Sequence, residues 1–267
     1  MGGGIFSWQA TVQNCIVRGN TANTNGGGIV VRQTASVYYN CIVEGNTAKG
    51  KGGGIWFKDD NNQAVNAVVY NMTVVNNTAG GNGGGVYFGW AGQTLVNTVL
   101  WGNVCKGKEQ QYEAKSGVTP TFTNCAAPVA LTGSNVVLTQ DSSEIFAENW
   151  TLCEGSPCID KGTDVAGLPD TDVYGNRRWS GEAYDIGACE YLIPLQYEAD
   201  ENGVFYVKKV KEMGRGNSWD SPINDLNTAV QAAKAWSAEY KKTAQIWVAK
   251  GTYALASTLD ISTKVTL

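Results

Sequence analysis

The sequence predicts an all-β chain wound as a parallel β-helix, a solenoid of stacked laps, and three observations carry that expectation. The triplet Gly-Gly-Gly recurs at Gly2-Gly3-Gly4, Gly26-Gly27-Gly28, Gly52-Gly53-Gly54 and Gly83-Gly84-Gly85, each followed by Ile or Val, at spacings of 24, 26 and 31 residues. A second landmark keeps step with the first: NCIVRGNTA from Asn14, NCIVEGNTA from Asn40, NMTVVNNTA from Asn71, NTVLWGN from Asn97 and a last NC at Asn124. Third, the apolar positions are Val, Ile, Phe and Tyr in short runs such as Ile29-Val30-Val31 and Val68-Val69-Tyr70. A leucine-rich repeat of similar period would instead need a leucine every few residues. Each lap reads as two or three short strands, and stacking laps about 4.8 Å apart sets like residues over like.

That geometry assigns the repeated letters. Glycine admits the backbone angles of a tight corner and lets neighbouring laps approach closely. Asparagines at one corner can pass amide hydrogen bonds from lap to lap, so Asn14, Asn40, Asn71, Asn97 and Asn124 read as one structural ladder and Asn20, Asn46, Asn77 and Asn103 as another. After each glycine triplet the first and third residues face inward (Ile5 and Ser7, Ile29 and Val31, Ile55 and Phe57, Val86 and Phe88). Phe6, Val30, Trp56 and Tyr87 then point outward, flanked by Trp8, Arg32 and Lys58. This column is either a platform for sugar rings or a partner protein, or a satellite core beneath a loop. Behind NCIV the stacked position holds Arg18, Glu44, Val75 and Trp101, so the one carboxylate lies beside an arginine as a surface ion pair.

Lys58, Asp59 and Asp60 open KDDNNQAVN, the stretch that lengthens the third lap; it is either a solvated loop or a binding loop on one face. Residues 105–117 read as a polar loop interrupting the fifth lap, and VVLTQDSSEIF as a last irregular coil. In DTDVYGN, Asp170, Asp172 and Asn176 offer oxygens at alternate positions. They form either a Ca2+ loop or an Asp-Arg network with Arg177 and Arg178; no other cofactor is expected. Further on, Ser221 reads as a helix N-cap with Pro222 at the first helical position. Leu226, Val230, Ala233, Trp236 and Tyr240 share one face of that helix, which would cover an open solenoid end. The divisions expected are 1–130 for the coils, 131–195 for an irregular coil and cap, and 196–267 for the start of a second solenoid.

Composition narrows the function. A net charge of −4 with no basic run gives no electrostatic case for nucleic acid or an anionic membrane, and no apolar stretch approaches the length of a membrane span. Seven cysteines and no histidine make a zinc site unattractive. Cys15, Cys41 and Cys125 follow the ladder asparagines as a column of small buried side chains, while Cys153, Cys158 and Cys189 could include one disulfide, Cys158 with Cys189 being the first candidate.

The segment SPCIDKGTDVAGLPDTDVYGNRRWSGEAYDIGACEY, residues 156–191, resembles the C-terminal capping segment of bacterial surface β-helix proteins, the kind called the choice-of-anchor Q domain. The GGG[IV] laps with GNTA resemble polymorphic outer-membrane-protein repeats. The stretch GVFYVKKVKEMGRGNSWDSPINDLNTAVQAAKAWSAEYKKTAQIWVAKGTY resembles the opening of a pectate-lyase-like β-helix. The resemblance implies a right-handed coil, a junction of two tandem solenoids, and a secreted or cell-surface location. It also implies a non-catalytic, adhesin-like module meeting a polysaccharide or a host or bacterial surface protein, with head-to-tail self-association through open coil ends. The other activity it implies is a polysaccharide lyase or glycoside hydrolase whose catalytic coils lie partly outside this segment. Such enzymes need paired carboxylates on adjacent coils, and the coil surfaces here carry almost none.

Overall fold

A computed structural model describes residues 2–32, 36–58, 67–134, 137–139, 141–176, 178, 180, 183–192, 197–211, 214–253 and 265–266. The chain divides into two compact units, Met1–Tyr191 and Leu192–Leu267.

The first unit is the solenoid. Ile5–Ser7, Ile29–Val31, Ile55–Phe57, Val86–Phe88 and Tyr112–Ala114 stack as one parallel sheet, in register residue for residue. Thr11–Gln13, Val37–Tyr39, Val68–Tyr70, Thr94–Val96 and Thr121–Thr123 form the second, and Ile16–Arg18, Ile42–Glu44, Thr73–Val75, Val99–Trp101 and Ala126–Ala127 the third. The first three laps also have a fourth strand of two residues, Thr21–Ala22, Thr47–Ala48 and Thr78–Ala79, and the fourth lap has Val104–Cys105 in that place. Inward residues of the sheets, among them Val43, Phe57, Val69, Val74, Phe88, Leu95 and Phe122, fill one core. Phe57 and Phe88 stack at 5.3 Å between ring centroids, as direct lap-on-lap superposition demands.

The glycine triplet divides its work. Gly52 has φ +65°, the left-handed corner. At Gly53, a Cβ would lie 2.3 Å from the carbonyl oxygen of Gly84 in the next lap, so only a hydrogen fits. Residues 105–117 differ from the expected loop. Lys108–Glu109 folds back antiparallel on Val104–Cys105, and Tyr112–Ala114 then supplies the fifth rung of the first sheet without a glycine triplet to mark it.

The two asparagine columns do different things. Asn20 Nδ2 donates to Asn46 Oδ1 at 3.0 Å, Asn46 to Asn77 at 3.0 Å and Asn77 to Asn103 at 2.9 Å. Asn103 closes the run on Gln111 Oε1 at 2.9 Å. Each of these oxygens in Asn46, Asn77 and Asn103 also accepts the backbone N–H of the asparagine before it in the stack. The other column, Asn14, Asn40, Asn71, Asn97 and Asn124, sits at φ near +50° in every lap. Within it Asn97 Nδ2 donates to Asn71 Oδ1 at 3.2 Å. The amides of Asn14, Asn40, Asn71 and Asn97 also turn outward to the segment that follows the coils. Asn14 and Asn40 donate to the Thr171 carbonyl, Asn71 to that of Asp185, and Asn97 exchanges two bonds with the Thr163 backbone.

That segment therefore runs as a strap along the side of the laps, where a cap over the solenoid end was expected. Ile145, Phe146, Leu152, Cys158 and Ile186 cover the outward side chains Val75, Val99 and Ala126 of the third sheet, and Ala188 and Cys189 cover Ile42. Strands that read as half-exposed in sequence are consequently buried on both faces.

In the second unit Val204–Val207 pairs in parallel with Ala244–Val248, which pairs with Val265–Thr266. The helix Leu226–Tyr240 packs its Ala229, Val230 and Ala233 against Phe205 and Ile246. It begins later than the sequence suggested. Ile223 bridges to Val207 and keeps the chain extended past Pro222, so Asp225 is the N-cap, accepting from the Thr228 N–H at 2.7 Å, while Ser221 Oγ accepts from Arg215 N–H. Tyr240 stays exposed at the helix end, its ring against Trp236.

Candidate functional site

Three places gather the side chains that could bind or react. The first is the expected aromatic column. Its parity is as read, and of the two alternatives the satellite core is the one present: Val30, Trp56 and Tyr87 form a buried cluster of their own. The glycine corners fold across them; a Cβ on Gly52 would lie 2.8 Å from the Trp56 Cβ, and one on Gly83 2.9 Å from the Tyr87 Cβ. The Lys51 ammonium also sits 4.5 Å over the Tyr87 ring. Lys58 is buried as well. Trp56, Lys58 and Tyr87 are therefore not surface-binding residues, and Asp59 and Asp60 fall outside the described residues. The structure leaves Phe6 and Trp8 exposed, with the Arg32 guanidinium 4.6 Å over the Trp8 ring.

The second place is a knot of charge within the strap. Asp172, Arg178, Asp185 and Glu190 are all buried. Every carboxylate oxygen there receives an N–H. Asp172 Oδ1 accepts from Tyr174 and Asn176, and Oδ2 from the Asn176 amide and the Glu190 backbone. Asp185 accepts from the backbones of Asp160 and Tyr191, and Glu190 from those of Ser180 and Asp185. Arg178 lies 3.7 Å from Glu190 and donates to the carbonyls of Asp185 and Gly187. Burial raises Glu190 to about 9 and Asp185 to about 6, against the pull of Arg178 and the N–H donors.

This arrangement answers the Ca2+ reading of Asp170, Asp172 and Asn176. A calcium ion needs converging bare oxygens. Asp172 instead faces N–H donors, Asn176 is one of those donors, and the Asp170 side chain is exposed while its carbonyl accepts from Arg178 N–H. The residues make a closed turn with an Asp at its centre. Among the described residues no group of three or more His, Cys, Asp or Glu could hold a metal ion. The cysteines are free thiols, and Cys158 and Cys189 pack in separate clusters, so the candidate disulfide is not formed. Burial pushes the thiols of Cys41, Cys125, Cys158 and Cys189 up to about 12.

No family model, curated protein or solved structure matches this chain. What the site can do therefore rests on its own chemistry.

The third place was not anticipated. In the second unit Tyr206 and Trp247 are register partners on adjacent strands, and Trp219 comes up beside Tyr206 from the turn before the helix. The burial pattern of these strands turns Phe205 and Ile246 inward, so Tyr206 and Trp247 share the outer face. Alternation in VFYV and AQIWV could have shown this, but nothing local ties Trp219 to that pair.

Proposed function

We propose that the chain is a non-catalytic module of a secreted or cell-surface protein, a rigid β-helix segment that is adhesin-like and binds glycan or protein along its side. One observation carries the non-catalytic half: in the buried group Asp172, Asp185 and Glu190 all six carboxylate oxygens are occupied by N–H donors. A general acid or base must reach the proton it moves, and these groups are sealed from substrate. On the coils, Glu44 is held by Arg18 at 2.5 Å, which supports the same reading. Two columns of corner asparagines and a hydrogen-bonded strap spend polar chemistry on rigidity, as a presenting scaffold requires.

The test is to incubate the full chain with a panel of neutral and acidic polysaccharides and with purified surface proteins, following both retention and the release of new sugar ends. Retention without cleavage is the expected result. Release of reducing or unsaturated ends by the wild type, abolished by a carboxylate substitution, would establish the lyase or hydrolase reading instead.

A further inference from the structure

We propose that the aromatic trio Tyr206, Trp219 and Trp247 is a binding site for a neutral, hexose-based glycan. The inference deepens the binding role just proposed and rests on it. Trp219 and Trp247 are 41% and 48% exposed. Both pack edge-to-face on Tyr206, with centroids 4.9 and 5.7 Å away and planes 74° and 70° apart. The polar atoms of two of the rings are tied down: Tyr206 Oη donates to Asp200 Oδ2 at 2.9 Å, and Trp247 Nε1 donates to Gln245 Oε1 at 3.1 Å. Asp200 is itself fixed by the N–H groups of Asn202 and Val204. Tyr206 and Trp247 are thus held in place before any ligand arrives, which lowers the ordering cost of binding.

The choice of occupant follows from area and charge. A stable protein interface needs roughly 800 Å² from each partner, and three rings that already bury part of one another supply only a fraction of that. A sugar ring asks for less, an exposed aromatic surface for its C–H groups and fixed oxygens and amides at the edge for its hydroxyls. Of the nearby charges, Glu198 pairs with Arg215 at 3.1 Å and accepts from the Asn217 amide at 3.2 Å, while Lys208 is exposed two residues beyond Tyr206. The charge in direct contact with the trio is the Asp200 carboxylate on Tyr206 Oη, which repels a polyanion, so the ligand is neutral.

The full chain is titrated with cellohexaose, maltohexaose and mannohexaose, and with an oligogalacturonate as the acidic comparison, by calorimetry and tryptophan fluorescence. At least one neutral hexamer is expected to bind. Trp219→Ala and Trp247→Ala should each weaken it at least about tenfold, Trp247→Phe less, and Trp8→Ala in the first unit not at all. An unchanged far-ultraviolet circular dichroism spectrum and melting transition keep lost affinity separate from lost folding, and the retained ring of Trp247→Phe provides a second check. Binding weakened by Trp8→Ala and untouched by the trio variants overturns this site and leaves the glycan-binding role standing. Silence across all neutral hexamers overturns the site, and silence of the oligogalacturonate as well overturns the glycan part of that role. A dimer in sedimentation that Trp247→Ala dissolves, with no sugar bound, assigns the face to a second copy and also overturns the proposal.

Discussion

At the scale of single residues, the two asparagine columns make a sharp contrast. Asn77 is fully buried and uses its whole amide: Oδ1 accepts from the side chain and backbone of Asn46, and Nδ2 donates to Val43 and Asn103. Asn77→Ala strands those partners without water, and each buried group left unpaired costs about 1–3 kcal/mol. We expect a loss of about 2–4 kcal/mol in urea unfolding, against less than about 1 kcal/mol for Asn20→Ala at the less buried end of the same ladder; equal losses would refute the ladder's role. The thiols give a second reading. Cys41, Cys125, Cys158 and Cys189 are buried and their thiolates disfavoured, so alkylation of the folded protein should label Cys15 and Cys153 first and spare those four until unfolding. Mass mapping after brief labelling checks this, and a reducing agent should leave the melting temperature unchanged.

Elements are governed by how closely laps approach and by the strap's buried charge. Gly53→Ala drives a methyl into the Gly84 carbonyl, whereas Gly19, with φ +66°, has nothing within 4 Å of an added Cβ. Gly19→Ala should cost only its backbone strain, about 1–2 kcal/mol, and Gly53→Ala more, because two stacked backbones must separate. Thermal melts of the two variants compare them directly. For the strap, Glu190 and Asp185 titrate at about 9 and about 6 in the folded chain and near ordinary carboxylate values once unfolded. The folded state holds more protons, so this contribution to stability is full below about pH 4, shrinks as pH climbs through 6 and is lost above about 9. Denaturation curves at pH 5, 7 and 9 should show that fall, and Glu190→Gln should flatten it between 7 and 9; an unchanged slope in the variant would place the titration elsewhere. How much of this was legible differs by element. The laps could be read because Gly and Asn mark every corner. The fifth rung, Tyr112–Ala114, lacked its glycine triplet and looked like a loop, and Gln111 took a ladder place that an asparagine search passes over. Nor could periodicity reveal that residues 145–191 cover the third sheet, since that contact joins positions far apart in the chain.

Each unit has a main core of its own, and the two share no member, one built around Phe57, Phe88 and Phe122, the other around Phe205, Val230 and Ile246. Calorimetry should resolve two transitions. Phe205→Ala should lower the one belonging to Leu192–Leu267 by about 3–5 kcal/mol and leave the other in place; both moving together would mean a single cooperative body. In sequence a fresh strand, turn and helix are legible after residue 196, and the second compact unit begins at Leu192. The surface was harder to read. Trp56 and Tyr87 looked exposed from parity alone, and the corners that bury them act across the lap, beyond what alternation describes. The strap has one more consequence. It reaches the first and second rungs through Thr171, the third through Asp185 and the fourth through Thr163, so it works as a ruler with its marks at fixed heights. Solenoids usually lengthen by copying a lap. Within the span measured by this ruler a copied lap would throw every later mark out of step, so evolutionary growth here is confined to bulges at the edges of existing laps.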